Sequence, residues 1–156
     1  MVTYFENLLI MAEAAGRSGG VAAGLPYLNE VRVWLNSGGN LNDNYSGLAF
    51  NYAPFEAADF NSGGVENLSG ALSANDAFLR EVMEERYVSG FGMHMPYNDA
   101  RRLRKADAAI AVPYFMVGAD NTRKPERMPY AQNELLSNEN APAEDPGIFT
   151  KTAVNQ

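Results

Sequence analysis

The sequence predicts an all-α, mostly helical protein whose helices are separated by long irregular loops. Three stretches carry apolar residues at helical spacing, and an apolar content of 46% is enough for one modest core in 156 residues. The 14 Gly and 8 Pro residues, together with many Asn, indicate much loop. We expect a single domain over residues 1–156, with a long loop at 37–73 and an irregular tail at 137–156.

The first predicted helix runs from Thr3 to about Ala15. Thr3 is expected to cap it, because Glu6 follows at the spacing of a capping box. Glu13 and Arg17 fall at i,i+4 and are assigned to the polar side. The apolar face comprises Phe5, Leu8, Leu9, Ala12 and Ala15. Residues 16–20, which include three Gly, predict the turn that ends this helix.

A second predicted helix covers residues 21–36 and forms an antiparallel hairpin with the first, because the turn between them is short. Leu25, Leu28 and Leu35 fall on one side of it, and Tyr27, Val31 and Trp34 fall on another. A hairpin that is apolar on more than one side is typical of stacked, tetratricopeptide-like helix pairs. We therefore expect the chain to self-associate if no other segment covers these faces.

Four further elements are predicted beyond the long loop. A third long helix runs from about Asn75 to Ser89 and ends at the glycines of 90–92. A short basic helix is expected over 96–105. Residues 108–117 are interpreted as a strand or an extended buried segment. One more short helix is expected from Pro129 or Tyr130 to Leu136.

The charge and composition exclude several classes of function. A formal charge of −7 and a pI of about 4.7 do not favour binding to nucleic acid or to an anionic membrane surface. The absence of cysteine excludes disulfides, thiolate metal sites and cysteine nucleophiles. No apolar stretch is long enough to span a bilayer, and no signal peptide is apparent. We therefore expect the chain as given to be soluble.

Three glutamates of the third helix are the strongest candidates for catalysis. Glu81, Glu84 and Glu85 share one helix face and, with Asp99, could supply the two carboxylates of a glycoside hydrolase. The same spacing is typical of a solvated face, and nothing in the sequence marks one acid for a raised pKa. We expect no catalytic residues and no enzymatic activity.

No cofactor and no metal site are expected. His94 is the single histidine of the chain, and without cysteine it does not form an ordinary zinc site. The alternating asparagines at 40–44 resemble the start of a calcium loop, but Tyr45 and Asn51 stand where an EF-hand has Gly and Glu. An ordinary Asn-rich turn is the better interpretation.

The aromatic residues near the long loop are the best candidates for ligand binding. Tyr and Trp rings stack on the flat C–H faces of sugars, and Asn and Asp side chains hydrogen-bond the hydroxyls. Trp34, Tyr45 and Tyr52, with the polar residues at 42–44, form a candidate glycan-binding surface. The alternative is that these rings pack under the loop and hold it in place.

Four segments, in order, resemble the SusD/RagB family of nutrient-capturing outer-membrane lipoproteins. The first combines NLLIMAEAA at 7–15 with LNEVR at 28–32. The second, EERYVSGFG at 84–92, resembles the "ERxxxxFGxG" helix end of the family. The third is YNDARR at 97–102. The fourth is RMPYAQNE followed by Asn138, Asn140 and Pro142, over 127–142, with Ala131 where a second Pro is common.

The resemblance covers only the C-terminal portion of such proteins, which are several hundred residues long. It implies non-catalytic capture of a glycan or other nutrient, a TonB-dependent transporter as partner, and an outer-membrane lipoprotein as the full-length parent. It also suggests that the charged residues of these motifs form one structural ionic network, comprising Glu85, Arg86, Asp99, Arg101, Arg102 and Glu134. The runner-up is a helical-hairpin interaction module with no small ligand, and a glycoside hydrolase is a distant third.

Overall fold

The structure is a computed structural model that describes residues 2–42, 51–103, 105–112 and 126–151. Within these ranges all regular elements are helical and no strand occurs, which confirms the predicted fold class. The α-helices are α1 (Tyr4–Asn36), α2 (Ala74–Ser89), α3 (Met95–Arg102) and α4 (Gln132–Ser137). Short 3₁₀ helices cover Ala57–Phe60, Val65–Asn67 and Lys105–Ile110.

Helix α1 consists of two arms, 4–19 and 21–36, separated by a break at Gly20. The predicted turn over 16–20 is therefore wrong at 16–19, which are helical, and Gly16 serves instead to let Phe78 approach the helix. The predicted capping box begins the first arm, with Thr3 and Glu6 each bonding the other's backbone amide. Gly20 has φ 74°, a left-handed conformation that glycine adopts without steric cost. The arms then run antiparallel, since Phe5 near the start of one stacks on Trp34 near the end of the other.

Phe78 of α2 inserts between the two arms, close to the break at Gly20. A Cβ on Gly16 would lie 2.6 Å from the Phe78 ring, and one on Gly24 would lie 2.5 Å from it. Each arm thus contributes one glycine to the contact, and the ring is completely buried. This close approach fixes α2 against the hairpin, with the N-terminal half of α2 near Gly20 and its C-terminal half near the open end of the hairpin.

Three side chains of the second arm hold an extended segment of the long loop. The Asn36 amide pairs with both backbone groups of Tyr52 at 2.7 and 2.9 Å, and the Asn29 amide pairs with both of Phe55 at 2.8 and 3.0 Å. Between them, Arg32 donates to the carbonyl of Ala53 at 2.9 Å. Seven helical residues rise about 10.5 Å, and three extended residues span about 10 Å, so the two segments match in length.

The loop then turns inward and joins the core. Phe55 contacts Phe60, which in turn meets Phe78 edge-on. Asn67 is buried and its side chain bonds the backbones of Phe60 and Leu72, which satisfies the polar groups of the turn. The described part of the loop is therefore packed against α1 and α2.

The expectation of a strand or extended segment is wrong at 108–110, because these residues belong to the 3₁₀ helix Lys105–Ile110. Ile110 alone is buried in the core there, while Ala108 and Ala109 are exposed. A single inward apolar residue suits a three-residue turn better than a strand. Residues 113–117 of the same prediction lie outside the described residues.

Candidate functional site

An open groove separates the end of the hairpin from the C-terminal half of α2. Its volume is about 570 Å³, within the range of about 300–1,000 Å³ found for small-ligand sites. The residues that line it are Phe5, Trp34, Leu35, Asn40, Tyr52, Glu81, Glu84, Glu85, Val88, Ser89 and Met93. We call it the α1–α2 groove.

One wall of the α1–α2 groove is aromatic. Trp34 stacks on Phe5 with ring centroids 5.5 Å apart and an angle of 23° between the planes. The Trp34 indole also lies directly against Gly39, where a Cβ would be 2.1 Å from its Nε1 atom. The ring is thus held in one position by Phe5 and Gly39, so the part of it that lines the groove is ordered before a ligand binds.

Tyr52 stands on the same side of the groove because Asn36 fixes its backbone. Both backbone groups of Tyr52 are paired with that side-chain amide, and Pro54 favours the extended conformation of the residue before it. The structure therefore brings Trp34 and Tyr52 to one cavity, as the sugar-binding hypothesis requires. Tyr45, the third aromatic residue of that hypothesis, lies outside the described residues, as do residues 43 and 44.

The facing wall consists of carboxylates that project from α2. Glu85 accepts a hydrogen bond of 3.0 Å from the Ser89 hydroxyl, and Glu84 pairs with Arg80 at 2.9 Å. The Glu81 side chain is 12% exposed and is much more enclosed than that of Glu84, which is 42% exposed. The three acids that the sequence places on one helix face thus line a cavity together with aromatic rings.

Burial, together with the neighbouring carboxyls of Glu66, Glu84 and Glu85, raises the pKa of Glu81 to about 8. The guanidinium of Arg32 lies 3.8 Å away, but it is too distant for a hydrogen bond and sits over the Phe55 ring at 3.5 Å. The raised pKa of Glu81 could not be predicted from the sequence, because it arises from burial in the folded chain. The one indication in the sequence is that Glu81 follows Phe78 by three residues, which turns it toward the buried side of α2.

A second charged cluster lies on the other side of α2 and joins four elements. Arg102 forms two 2.7 Å hydrogen bonds to Glu13 and one of 2.6 Å to Asp99. Arg86 donates twice to Asp99, at 2.8 and 3.2 Å, and lies 3.5 Å from Glu13. Arg17 connects Glu13 to an acid of the third 3₁₀ helix. We call Glu13, Arg17, Arg86, Asp99, Arg102 and Asp107 the ionic cluster.

The ionic cluster differs from the network expected from the motifs. Arg86, Asp99 and Arg102 are brought together, whereas Glu85 faces the α1–α2 groove. Arg101 donates to the Glu126 carbonyl at 3.1 Å and so anchors the C-terminal segment to α3. Glu134 is exposed on α4 and accepts a hydrogen bond from the side chain of Asn138.

Glu13 is the central member of the ionic cluster and was assigned to the polar side of its helix. It is only 8% exposed, and burial alone would raise its pKa, but hydrogen bonds from Arg102 and Arg17 and the nearby Arg86 hold that pKa below its usual value. Position 13 follows Leu9 by four residues, which places it at the edge of the apolar face. That spacing is the signal that could have identified it.

The segments that resemble the SusD/RagB family meet in this cluster. Glu13 belongs to the first segment, Arg86 to the second, and Asp99 and Arg102 to the third. No family model matches the chain, and no significant match occurs among the curated proteins or the solved structures. The resemblance therefore rests on these motifs alone.

The remaining candidates do not form a site among the described residues. His94 precedes α3 and is exposed, and no group of three or more His, Asp or Glu side chains in the described ranges could hold a metal ion. None of the helices described is sufficiently long and apolar to cross a membrane.

Proposed function

We propose that the chain is a non-catalytic, carbohydrate-binding component of a nutrient-uptake system of the SusD/RagB type, and that sugars bind in the α1–α2 groove. The parent protein would then be an outer-membrane lipoprotein that works with a TonB-dependent transporter. One observation carries the proposal of the binding site. Trp34 and Tyr52, selected from the sequence as sugar-stacking residues, line one cavity and face hydrogen-bonding carboxylates.

The chemistry of the two walls supports sugar binding. A pyranose ring has apolar C–H faces that stack on aromatic rings, and its hydroxyls donate hydrogen bonds to carboxylates. The aromatic wall is held by packing on Phe5 and by the Asn36 amide, so little ordering of that wall accompanies binding. The groove is also open rather than enclosed, which suits one segment of a longer glycan.

The distribution of acids favours binding over hydrolysis. A glycosidase needs two carboxyl groups on opposite sides of the scissile bond. In the α1–α2 groove all three acids project from α2, and the described residues of the facing wall are Phe5, Trp34, Leu35, Asn40 and Tyr52. The raised pKa of Glu81 suits a general acid, but no described carboxylate faces it across the groove.

The test is calorimetric titration of the chain with a panel of oligosaccharides. Tyr52→Ala should weaken binding at least tenfold and leave the helical circular dichroism unchanged. Tyr87→Ala is the matched control, because Tyr87 is equally exposed, at 37%, but does not line the groove. If no oligosaccharide binds, or if both variants weaken binding equally, the proposal is wrong.

A second candidate function is that of a protein-interaction module without a small ligand. It is favoured by apolar side chains in the last turn of α2 and in the turn that follows it: Val88, Phe91 and Met93 are exposed, and Phe91 by 89%. Exposed apolar clusters commonly mark interfaces. This function predicts that Phe91→Ser lowers association with a protein partner, while the groove variants have no effect on it.

A further inference from the structure

We propose that Glu66 and Glu81 share one proton, and that loss of this proton moves the Glu81 carboxylate onto Arg32. The exchange is a pH-sensitive switch between α2 and the described part of the long loop. It does not depend on the proposed function, because it involves only contacts within the chain. Three observations carry it: the contact between the two carboxyls, the burial of Glu81, and an edge of the Arg32 guanidinium that makes no hydrogen bond to the described residues.

The Glu66 and Glu81 side chains are hydrogen-bonded to each other. A carboxylate only accepts hydrogen bonds, so a bond between two carboxyls requires that one of them carries a proton. Glu81 is the more enclosed partner, whereas Glu66 is half-buried on the second 3₁₀ helix. Burial and the neighbouring acids raise the pKa of Glu81 to about 8, so the shared proton resides on Glu81 at neutral pH.

The edge of Arg32 that faces Glu81 is available as an alternative partner. Its Nε atom is buried and makes no hydrogen bond within the described part of the chain, and its Nη2 atom lies 3.8 Å from Glu81 Oε1. These two atoms share one edge of a guanidinium and together bind a carboxylate in bidentate fashion. Arg86 uses the same two atoms to hold Asp99 at 2.8 and 3.2 Å. Arg32 can therefore receive the Glu81 carboxylate once it is ionised.

The charges around Glu81 favour this exchange over ionisation in place. Among the described residues, the charged groups that face it are Arg32 of the second arm of α1, Glu66 of the second 3₁₀ helix, and Glu84 and Glu85 of α2. Arg80 is already engaged by Glu84 at 2.9 Å. An ionised Glu81 is thus repelled by the acids and attracted by Arg32.

Loss of the proton changes how the loop is held. Glu66 then faces a second carboxylate and turns to solvent, while Glu81 joins an arginine that already holds the Ala53 carbonyl at 2.9 Å. The turn at 65–67 keeps its own shape, because the Asn67 side chain bonds the backbone on both sides of it. The switch therefore loosens one end of the loop from α2 without unfolding it.

The test is a carbon NMR titration of the glutamate carboxyls in the full chain. We expect the Glu81 signal, assigned by its loss in Glu81→Gln, to titrate near pH 8. Glu66→Gln should lower that midpoint by at least about one pH unit, because the neighbouring acid is gone. Glu139→Gln removes the same charge from an exposed position of the C-terminal segment and should leave the midpoint unchanged. An equal midpoint in Glu66→Gln and the wild type would show that no proton is shared and would overturn the proposal.

Arg32 variants test the second half of the switch. Arg32→Gln should raise the Glu81 midpoint by about one pH unit, whereas Arg32→Lys keeps a cation and should shift it by less than half as much. Circular dichroism verifies that each variant is folded, and the Glu66→Gln result does not depend on whether Arg32→Gln folds.

Double-mutant cycles, followed by urea unfolding, measure the exchange of partners directly. The coupling between Glu81 and Arg32 should be present at about pH 9 and absent at about pH 6, and the coupling between Glu81 and Glu66 should show the reverse. If Glu81 titrates near pH 8 but its coupling to Arg32 is the same at both pH values, the carboxylate does not change partner and the switch is wrong.

Discussion

The Glu13 carboxylate accepts two 2.7 Å hydrogen bonds from the guanidinium of Arg102, which lies 89 positions further along the chain. This pair connects the first arm of the hairpin to α3, and Arg86 of α2 lies between them. A bidentate pair of this type fixes orientation as well as distance. The ionic cluster therefore sets how the C-terminal elements sit on the hairpin.

Glu13→Gln should lower the free energy of unfolding by about 2 kcal/mol, because it removes one of the two carboxylates that pair with the buried Arg86 and with Arg102, which then share Asp99 as their remaining partner. Urea unfolding followed by circular dichroism measures it. Arg80→Ala is the control, since it breaks an exposed i,i+4 pair and should cost at most about 0.5 kcal/mol. Equal losses in the two variants would mean that the ionic cluster contributes no more than a surface pair.

Glu13 and Glu81 should contribute to the pH dependence of stability in opposite directions. The folded-state pKa of Glu13 is lowered, so its contribution is present above its unfolded pKa and is lost as the pH falls through the folded value. The folded-state pKa of Glu81 is raised from 4.5 to about 8, so the folded protein binds the proton more tightly. Stability due to Glu81 is then complete below pH 4.5 and decreases up to pH 8.

Glu81→Gln should therefore stabilise the chain increasingly between pH 5 and pH 8, which are rough bounds set by the two pKa values. Since one pKa unit corresponds to about 1.4 kcal/mol, the shift of the Glu81 pKa from 4.5 to about 8 limits this stabilisation to about 5 kcal/mol. Thermal unfolding across this range measures the difference. Glu139→Gln, at an exposed position of the C-terminal segment, is the control. A difference that does not grow with pH would show that Glu81 is ionised in the folded protein.

The helices could be predicted from the sequence because each depends on local signals. The capping box of Thr3 and the apolar spacing of α2 are contained within a few residues of the element that they define. The glycines of 16–20 predicted a break between the two arms, but only Gly20 forms it, because a glycine does not by itself show whether it ends a helix or packs within one. The 3₁₀ helix at Lys105–Ile110 was not predicted. This helix depends on the burial of Ile110 against the core. The local sequence, a run of short apolar residues, does not show which of them is buried.

The sites could be predicted only in part, because they depend on contacts between distant segments. Trp34 and Tyr52 were selected for their ring chemistry, but their common cavity is set by the Asn36 amide. Glu81 and Glu13 were assigned to solvated faces. Periodicity places a residue on a side of its own helix, whereas burial depends on what the rest of the chain packs against that side.

Gly24→Ala should destabilise the chain by about 1–3 kcal/mol through overpacking. The new Cβ would lie 2.5 Å from the buried Phe78 ring and 2.8 Å from the Ala12 carbonyl oxygen, and the backbone atom cannot move easily. Ala14→Ser, at an exposed position of the same hairpin, should have little effect. Urea unfolding measures both. A stabilised Gly24→Ala variant, as expected for an unconstrained helical glycine, would contradict the close packing of α2.

Incubation of the chain with glycans should release no reducing ends above the buffer level. The three acids of the groove share one wall, so a bound sugar lacks a second described carboxyl on its opposite face. A colorimetric reducing-end assay over several hours is sufficient. Turnover that is abolished by Glu81→Gln or Glu84→Gln would show that the groove is catalytic.

The chain should self-associate at high concentration through the outer side of the hairpin. Both arms expose apolar side chains there, namely Tyr4, Ile10, Met11 and Val33, and exposed apolar patches commonly mark interfaces. Light scattering over a concentration series should show the average mass rising, and Ile10→Lys with Val33→Lys should suppress the rise. A constant monomer mass at every concentration would contradict this prediction.

The match in length between residues 29–36 of α1 and residues 52–55 of the loop restricts how this region can change. A one-residue deletion between Tyr52 and Phe55 would shorten the extended segment by about 3.3 Å, and only one of the two asparagine amides could then keep its backbone partners. It would also reverse the direction of the Tyr52 side chain relative to Phe55. Substitutions at position 53 leave these bonds intact, because Arg32 donates its hydrogen bond to the backbone carbonyl of that residue. Variation in this segment is therefore expected in side-chain identity and not in length.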